Sequence, residues 1–471
     1  MQVPRRSVLK ILSASAAALA TSGLRASAHG SLVIERDVCI LGGGSTGTFS
    51  ALHLRDAGKT VVVLERKQRL GGHAETFRDP VTGRTIDYGV IVLHDLPVVR
   101  DYFARLGVPL VPAAAGGGAT ATFDFRTGAP FTGAPPAPAP ADVQQALAAY
   151  LAILTQLKAT YYDLDSGFDL PLPVPPDLLL PFGDFVVKFG LQAMVNTAFQ
   201  FGQGIGDLLG MPTVYAMKLV SAQVVTTVFA NSFVHPPDGI AALYDRAADQ
   251  LGDDVLFNAT IDRVDRHRGG VTLHVTSGHA RREIRCKQLL VTVPPTLDNL
   301  RVLELDALES ATFARLRPNF YWAIVARLSG VPAGVSLANA GADTLYHLPP
   351  LPGIYGAQAT QVPGVWDIKY GSTRWLPDAE VKRRVIADIQ RLHDPATFSS
   401  PPRVDDILVF SAHAPFELHV TAEEIAAGFY TTLGSLQGRN HTFYNGAAFD
   451  THDSSLLWQF TRNHVLPLVL A

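Results

Sequence analysis

The chain has 471 residues, 47% of them apolar, and a net charge of −3. That length exceeds one compact core, so two domains are expected, one interrupting the other. A near-neutral chain without a basic stripe or a block of like charge excludes a nucleic-acid partner and a charged disordered tail.

The first 30 residues read as a leader outside the fold. Arg5-Arg6-Ser7-Val8-Leu9-Lys10 precedes an alanine-rich apolar run from Ile11 to Ala20, and Ala26-Ser27-Ala28 has the small-x-small pattern of a cleavage site. The apolar run is shorter than the ~20 residues that span a bilayer. The paired arginines followed by x-Val-Leu-Lys look like a twin-arginine signal, a route suited to a protein exported folded with its cofactor; an ordinary secretory signal is the competing reading. Residues 1–28 are therefore expected to be removed and the chain to be periplasmic or secreted, with no later segment long and apolar enough to cross a membrane.

Arg36 to His73 organises the rest. A short apolar strand, Val38 to Leu41, leads into the turn Gly42-Gly43-Gly44-Ser45-Thr46-Gly47, then a helix-like run Thr48 to Ala57 ended by Gly58, then a second apolar strand, Thr60 to Leu64, that stops at Glu65. In this G-x-G-x-x-G pattern Gly42 permits the tight turn, Gly44 lets the backbone approach a pyrophosphate, and Gly47 lets helix and sheet pack closely. The helix N-terminus, with Ser45 and Thr46 in its first turn, offers N–H groups and partial positive charge to phosphates. Glu65, about 20 residues on, stands where an acid bonds ribose hydroxyls. A glycine-rich turn in some other α/β protein is the bland alternative.

Pro97 to Leu106 reads as an amphipathic helix closed by Gly107. Gly116-Gly117-Gly118 and the Pro/Ala run Pro130 to Pro140 mark a change of domain. Helices are expected over Ala141 to Tyr162, Phe182 to Phe201 and Pro212 to Phe229, with the proline-dense patch Leu170 to Pro181 as a surface excursion or lid-like loop between them. Gly239 to Leu251 is a helix. Val255 to Val264, Val271 to Val275 and Ile284 to Val293 are strands, as are Trp322 to Leu328, Val365 to Tyr370 and Ile407 to Ser411. Asp378 to His393 and Ser454 to Leu466 are helices, the latter capped by Asp453. Cys39 and Cys286 are expected as buried free thiols, although spacing alone leaves a disulfide open.

Arg69-Leu70-Gly71-Gly72-His73-Ala74-Glu75-Thr76 resembles the second glycine motif of FAD-dependent amine-oxidase-type flavoproteins, which NAD-dependent enzymes do not usually carry. Asp87-Tyr88-Gly89-Val90 resembles their segment beneath the flavin ring. Ile261 matches the strand that reads the adenine, Leu290-Val291-Thr292-Val293-Pro294 the strand ending in Ala-x-Pro, and Gln437 to Ala447 the closing strand. These motifs come in the family's order across nearly the whole chain. The resemblance implies FAD and an α/β fold: a Rossmann-type FAD/NAD(P)-binding domain (33–114, 230–300 and 426–471) interleaved with an α+β substrate domain, helical over 115–229 and a sheet over 301–425. It implies cofactor contacts from Arg66, Arg69, Gly71, Gly72, His73, Val90, Ile91, Ile261, Gly446 and Ala447, and from Ser455 at a helix start whose N–H groups would face the flavin. Leu180-Pro181-Phe182-Gly183-Asp184-Phe185, Pro212-x-x-Tyr215-x-x-Lys218 and Leu436 to Tyr444 look most like the branch holding a polyunsaturated fatty acid isomerase and the β-cyclopiazonate oxidocyclases.

Three departures qualify the chemistry. Ala447 replaces the family's usual acid after the closing glycine. Asn319-Phe320-Tyr321-Trp322 lacks the lysine that amine oxidases set against the flavin. Gly117-Gly118-Ala119-Thr120 lacks the arginine thought to hold a fatty acid carboxylate. The expected activity is therefore an oxidation or double-bond shift by hydride transfer to flavin N5 on a mostly apolar small molecule, with oxygen or another external acceptor reoxidising the flavin of an oxidase or dehydrogenase. An amine or amino-acid oxidase and a non-catalytic flavin-bearing scaffold are the alternatives. No side chain stands out as an obligatory base. Tyr321, Trp322, Trp366 and Tyr370 are either pocket lining or core, and Tyr321 and Trp322 are the candidate catalytic side chains of an otherwise flavin-centred site. His413 and His419 are read as surface or core histidines, with a catalytic role the lesser alternative, and His73 as a phosphate or ring contact, with covalent flavin attachment the lesser alternative. No histidine spacing supports a metal.

Overall fold

A computed structural model describes residues 24–26, 32–113, 118–131, 138–160, 164 and 167–471. The leader motif from Arg5 to Ala20, Ser27-Ala28, Gly116-Gly117, the middle of the Pro/Ala run and Tyr161-Tyr162 lie outside the described residues. Leu24–Ala26 falls within the expected leader, yet it forms a strand antiparallel to the start of Leu32–Leu41. These three residues thus belong to the folded sheet, a correction to the reading of the leader as wholly outside it.

The first sheet runs in the order Val255–Leu256, Val61–Leu64, Leu32–Leu41, Ala280–Val291, Gly270–Ser277, Ala259–His267. Its first four strands are parallel and its last three an antiparallel meander. Val38 to Leu41 and Val61 to Leu64 are buried throughout, the pattern of parallel strands covered on both faces. The helix Ser45–Asp56 crosses between them and buries Phe49, Leu52 and Leu54. The closing strand Thr442–Tyr444 lies parallel to the end of Ala280–Val291, so the last segment returns to the glycine turn.

The second sheet has seven strands, ordered Arg403–His413, Phe320–Ser329, Val365–Ser372, Gly353–Ala359, Ser336–Asn339, Thr120–Asp124 and Ala129–Pro130. Alternation along Phe320–Ser329 sends Trp322, Ile324, Ala326 and Leu328 into a core with Val381, Val385 and Ile389 of the helix Asp378–Arg391. Ala323 and Val325 face the opposite way, onto Ile86 and Tyr88. Trp366 and Tyr370 share the Trp322 core.

The helical elements are shorter than their patterns predict. Phe182 to Phe201 breaks at Gly190, whose φ of +68° ends Phe182–Phe189 before Val195–Phe201 begins. Pro212 to Phe229 divides into Thr213–Leu219 and Ala222–Ala230, the latter capped by the Ser221 hydroxyl accepting from the Val224 N–H. The last helix is α-helical only over Ser454–Phe460 and then widens into a π turn, Thr461–Val465. The proline-dense patch is not the surface excursion expected of it: Val174 and Leu178 are buried in the main core, around the short helix Pro176–Leu179. Pro97–Leu106, closed by left-handed Gly107, follows its pattern to the residue. Cys39 and Cys286 are buried free thiols. Among the described residues no single helix is long and apolar enough to cross a membrane; the bent pair Thr213–Leu219 and Ala222–Ala230 passes only by joint length and composition.

A buried charge network fixes the closing strand. Arg266 forks onto both oxygens of Glu309 at 2.6 and 2.7 Å, with both side chains almost fully buried. Tyr444 donates its hydroxyl to the same carboxylate at 2.9 Å. Removing one member strands a buried charge, at a cost of about 3–5 kcal/mol. Glu309→Leu is expected to lower the urea midpoint of unfolding strongly, whereas Arg317→Leu, which breaks the partly exposed pair with Glu424, is expected to leave it nearly unchanged.

Candidate active site

A cleft of about 600 Å³ opens between the turn after Leu32–Leu41 and the second sheet. That volume falls within the ~300–1,000 Å³ of enclosed cofactor and ligand sites. Gly42, Gly44, Ser45, Thr46, Glu65, Arg66, Gly71, Gly72, His73, Val90, Ile261, Gly446, Ala447 and Tyr321 all line it. Residues far apart in sequence thus meet on one surface.

The turn is built for close approach. A Cβ on Gly47 would lie 2.0 Å from the Gly42 carbonyl oxygen, and Thr292 donates its hydroxyl to that oxygen at 2.9 Å. Gly47 therefore sits behind the turn and not on the wall of the cleft. A Cβ on Gly89 would lie 1.7 Å from the His73 carbonyl oxygen, so the two segments beside the cleft touch through their backbones. The helix Ser45–Asp56 has no side-chain cap and no acid in its first turn. Its first N–H groups, at Ser45 and Thr46, open toward the cleft, the arrangement that binds phosphate.

Glu65 is nearly buried, its carboxylate held by the N–H of Gly43 at 2.8 Å and of Lys67 at 2.7 Å. Each oxygen keeps a second lone pair for a hydroxyl in the cleft. Uncapped N–H groups for a pyrophosphate and an oriented carboxylate for a ribose are the donor and acceptor set a flavin dinucleotide needs, so these residues fit FAD.

Besides Gly47, four expected site residues stand elsewhere. Arg69 is not part of the lining; it pairs with Glu75 and also donates to the Leu70 carbonyl at 3.2 Å. Ile91 is about half exposed, its side chain diverging from the inward Val90. Trp322 lies on the far face of its strand and donates to Asp378 at 3.2 Å. Ser455 is buried behind the wall, its hydroxyl accepting from the His94 N–H at 3.1 Å; Ser454 lines the cleft instead. The Ser455 and Leu456 N–H groups are both taken by Asp453, at 2.8 and 3.0 Å. The capping aspartate thus consumes the donors that the resemblance assigned to the flavin. Trp366 and Tyr370 are core and not lining.

Histidines supply what the sequence left aside. His413 is buried, lines the cleft, and stacks on His73 with ring centroids 4.0 Å apart and planes 13° from parallel. Phe416 stacks on His452 at 4.0 Å, and Tyr321 lies 5.1 Å from Phe416. Burial, reinforced by neighbouring positive charge, pushes both His73 and His413 well below 6.5, so both imidazoles are neutral at neutral pH. His419, by contrast, is absent from the lining. The signal for His413 was its place at the end of a strand, Arg403–His413, paired with Tyr321 across the sheet; no local motif marks it. A buried lysine also stands on the second sheet, one strand over from the stretch that lacks one. Lys369 pairs with Asp367 at 2.9 Å and donates to the Tyr88 carbonyl, which occupies it structurally.

Comparison with known proteins agrees with this geometry. Residues 46–409 match the family described as flavin containing amine oxidoreductase. The chain is 35% identical to the FAD-dependent oxidoreductase oblC of Cochliobolus heterostrophus, covering 99% of each chain. It is also 35% identical to the beta-cyclopiazonate dehydrogenase of Aspergillus oryzae, over 91% of this chain and 92% of that one. In fold it is similar to a CLA-producing fatty acid isomerase from P. acnes, with a TM-score of 0.71 at 21% identity, over 92% of this chain and 98% of that one. A putrescine oxidase follows with a TM-score of 0.64 at 17% identity, over 93% and 100%. With its glycine turn, oriented Glu65 and two-sheet cleft, the chain belongs to the flavin-containing amine oxidoreductase family and is an FAD-dependent oxidoreductase.

Proposed function

We propose that this enzyme removes hydride from a C–H bond of a mostly apolar, uncharged small molecule. The observation that carries this reading is the division of the cleft wall. Glu65, Asp298 and Arg301 stand with the Ala259–Ile261 strand and the Asn299–Val302 segment, the end suited to the adenosine, whereas the Lys67 ammonium reaches the Gly72 carbonyl and Glu75, each at 3.0 Å. The other end is walled by Tyr321, Ala414, Pro415, Phe416, Leu418 and Leu457, with neutral imidazoles beside them. The lining cation that reaches toward that end, Lys67, is occupied by the Glu75 carboxylate and the Gly72 carbonyl, so it offers no open anchor for a fatty acid carboxylate. An apolar wall excludes water and orients the substrate by contact.

Bound FAD supplies the two-electron acceptor. The chain contributes the phosphate and ribose contacts described above, a dry wall, and neutral hydrogen-bonding groups. Net dehydrogenation, with oxygen or another external acceptor closing the cycle, is favoured over isomerisation because a 35% identical relative is named a dehydrogenase. Anaerobic mixing of the purified holoenzyme with neutral aromatic alcohols, with benzylamines and with linoleate separates the readings. Neutral alcohols are expected to bleach the flavin. Bleaching by amines alone would establish an amine oxidase, and a shift of the linoleate double bonds without lasting bleaching an isomerase.

We also propose export by the twin-arginine route, motivated by Arg5-Arg6 ahead of the apolar run. A reporter fused after residue 30 should leave the cytoplasm of a bacterium with that pathway and stay inside when Arg5 and Arg6 are both changed to Lys. Export undiminished by that double change would point to the ordinary secretory route.

A further inference from the structure

Glu75 is the buried hub of a hydrogen-bond network behind His413 and the Tyr321 end of the cleft. One carboxylate oxygen, Oε1, accepts from Lys67 Nζ at 3.0 Å and from the Arg69 guanidinium. The other, Oε2, accepts from the Ser411 hydroxyl and from His413 Nε2 at 3.3 Å. Two cations on Oε1 keep this carboxylate ionised, so it receives a proton on His413 Nε2 and does not give one. That assigns the tautomer: with Nε2 protonated, a neutral His413 carries its lone pair on Nδ1. Nδ1 makes no hydrogen bond among the described residues, and the ring lies on the cleft wall.

The other polar groups nearby are less suited to take a proton. Tyr321 donates its hydroxyl to Gln203 at 3.3 Å, and burial raises its pKa. His452 faces Glu417 at 3.1 Å. Among the described residues no carboxylate orients His73, and its stack on His413 disfavours charging both rings. Burial, together with the nearby charges of Lys369, Lys67 and Arg69, holds His413 neutral until a proton is offered from the cleft.

We propose that His413 is the proton acceptor of the reaction, with Glu75 as its positioning residue, and that the substrate carries an O–H on the carbon that gives up hydride. This rests on the hydride-removal reading. The C–H bond breaks and its hydrogen leaves with the electron pair to bound FAD. The O–H bond breaks, its proton forms an N–H bond at His413 Nδ1, and its electron pair becomes the second bond of the product C=O. The substrate loses one hydride and one proton, FAD gains the hydride, and the imidazole gains the proton. As hydride leaves, the hydroxyl becomes strongly acidic, so an imidazole of depressed basicity is still a competent acceptor. The Glu75 carboxylate then faces the imidazolium it has oriented, the arrangement of other carboxylate–histidine pairs.

The test uses 4-nitrophenol, a neutral aromatic O–H donor whose visible band reports hydrogen bonding and ionisation. Titrated into the yellow holoenzyme, it is expected to bind with its band displaced toward that of the phenolate, and binding should fade as pH falls below the usual histidine range. His413→Gln is the informative variant, because its side-chain amide can still donate to Glu75 while it lacks a basic nitrogen. It should retain FAD, bind 4-nitrophenol about tenfold more weakly and lose the spectral displacement. An alcohol that bleaches the wild-type flavin should do so about 10²–10⁴-fold more slowly in the variant. If His413→Gln loses FAD, the wild-type pH dependence of the displacement decides alone. Absence of displacement in the wild type, or an unchanged one in the variant, overturns the proposal. Bleaching by alcohols at the wild-type rate in His413→Gln overturns it while leaving the hydride reading intact. Displacement that depends on His413, with no bleaching by any alcohol, leaves the acceptor nitrogen in place and overturns the hydride reading with the substrate class.

Discussion

The cleft exists because one short segment, Lys67 to Val90, is held by both sheets. Glu75 binds Ser411 and His413 at the end of a substrate-sheet strand while it neutralises Lys67 and Arg69 from its own side. Lys369, deep in the second sheet, donates to the Tyr88 carbonyl on the same segment. These are charge-assisted bonds on a buried carboxylate and a buried lysine, stronger than neutral ones and costly to leave unmade there. They position the His73 wall against the Tyr321 and His413 wall, and everything proposed about the chemistry depends on that placement.

The nucleotide end was legible in the sequence because its constraints are local. A tight turn, a close helix–strand approach and an acid at a strand end all fall within Gly42 to Glu65, where spacing alone encodes geometry. The helix Pro97–Leu106 was legible for the same reason, carrying its own start and stop signals. Phe182 to Phe201 and Pro212 to Phe229 were not, because apolar periodicity persists across a break that one glycine or one capping serine imposes. The proline patch misled because prolines mark irregular backbone, which Val174 and Leu178 nevertheless bury.

The substrate end was largely illegible, since its residues meet only through the sheet. Tyr321 and Trp322 are equivalent in sequence, and only the direction of the strand puts one on the cleft and the other beneath the helix Asp378–Arg391. His413 has no motif, and its meaning comes from Glu75, more than 300 residues away in sequence. The Ser455 error has a different cause: Asp453 was read as a cap, and a cap takes the same N–H groups that were assigned to the cofactor. Ala447 lines the cleft without supplying an acid, while Glu65 and the uncapped helix at Ser45 remain intact beside it.

The most direct test of the account is the amount of FAD carried by each chain, read from the flavin released when the purified, folded protein is denatured. A single FAD per chain, released from yellow protein, is the predicted result. Folded protein that is colourless and takes up no added FAD would contradict the account at its root, because the turn at Gly42, the oriented Glu65 and the walls at His73 and His413 would then enclose something else.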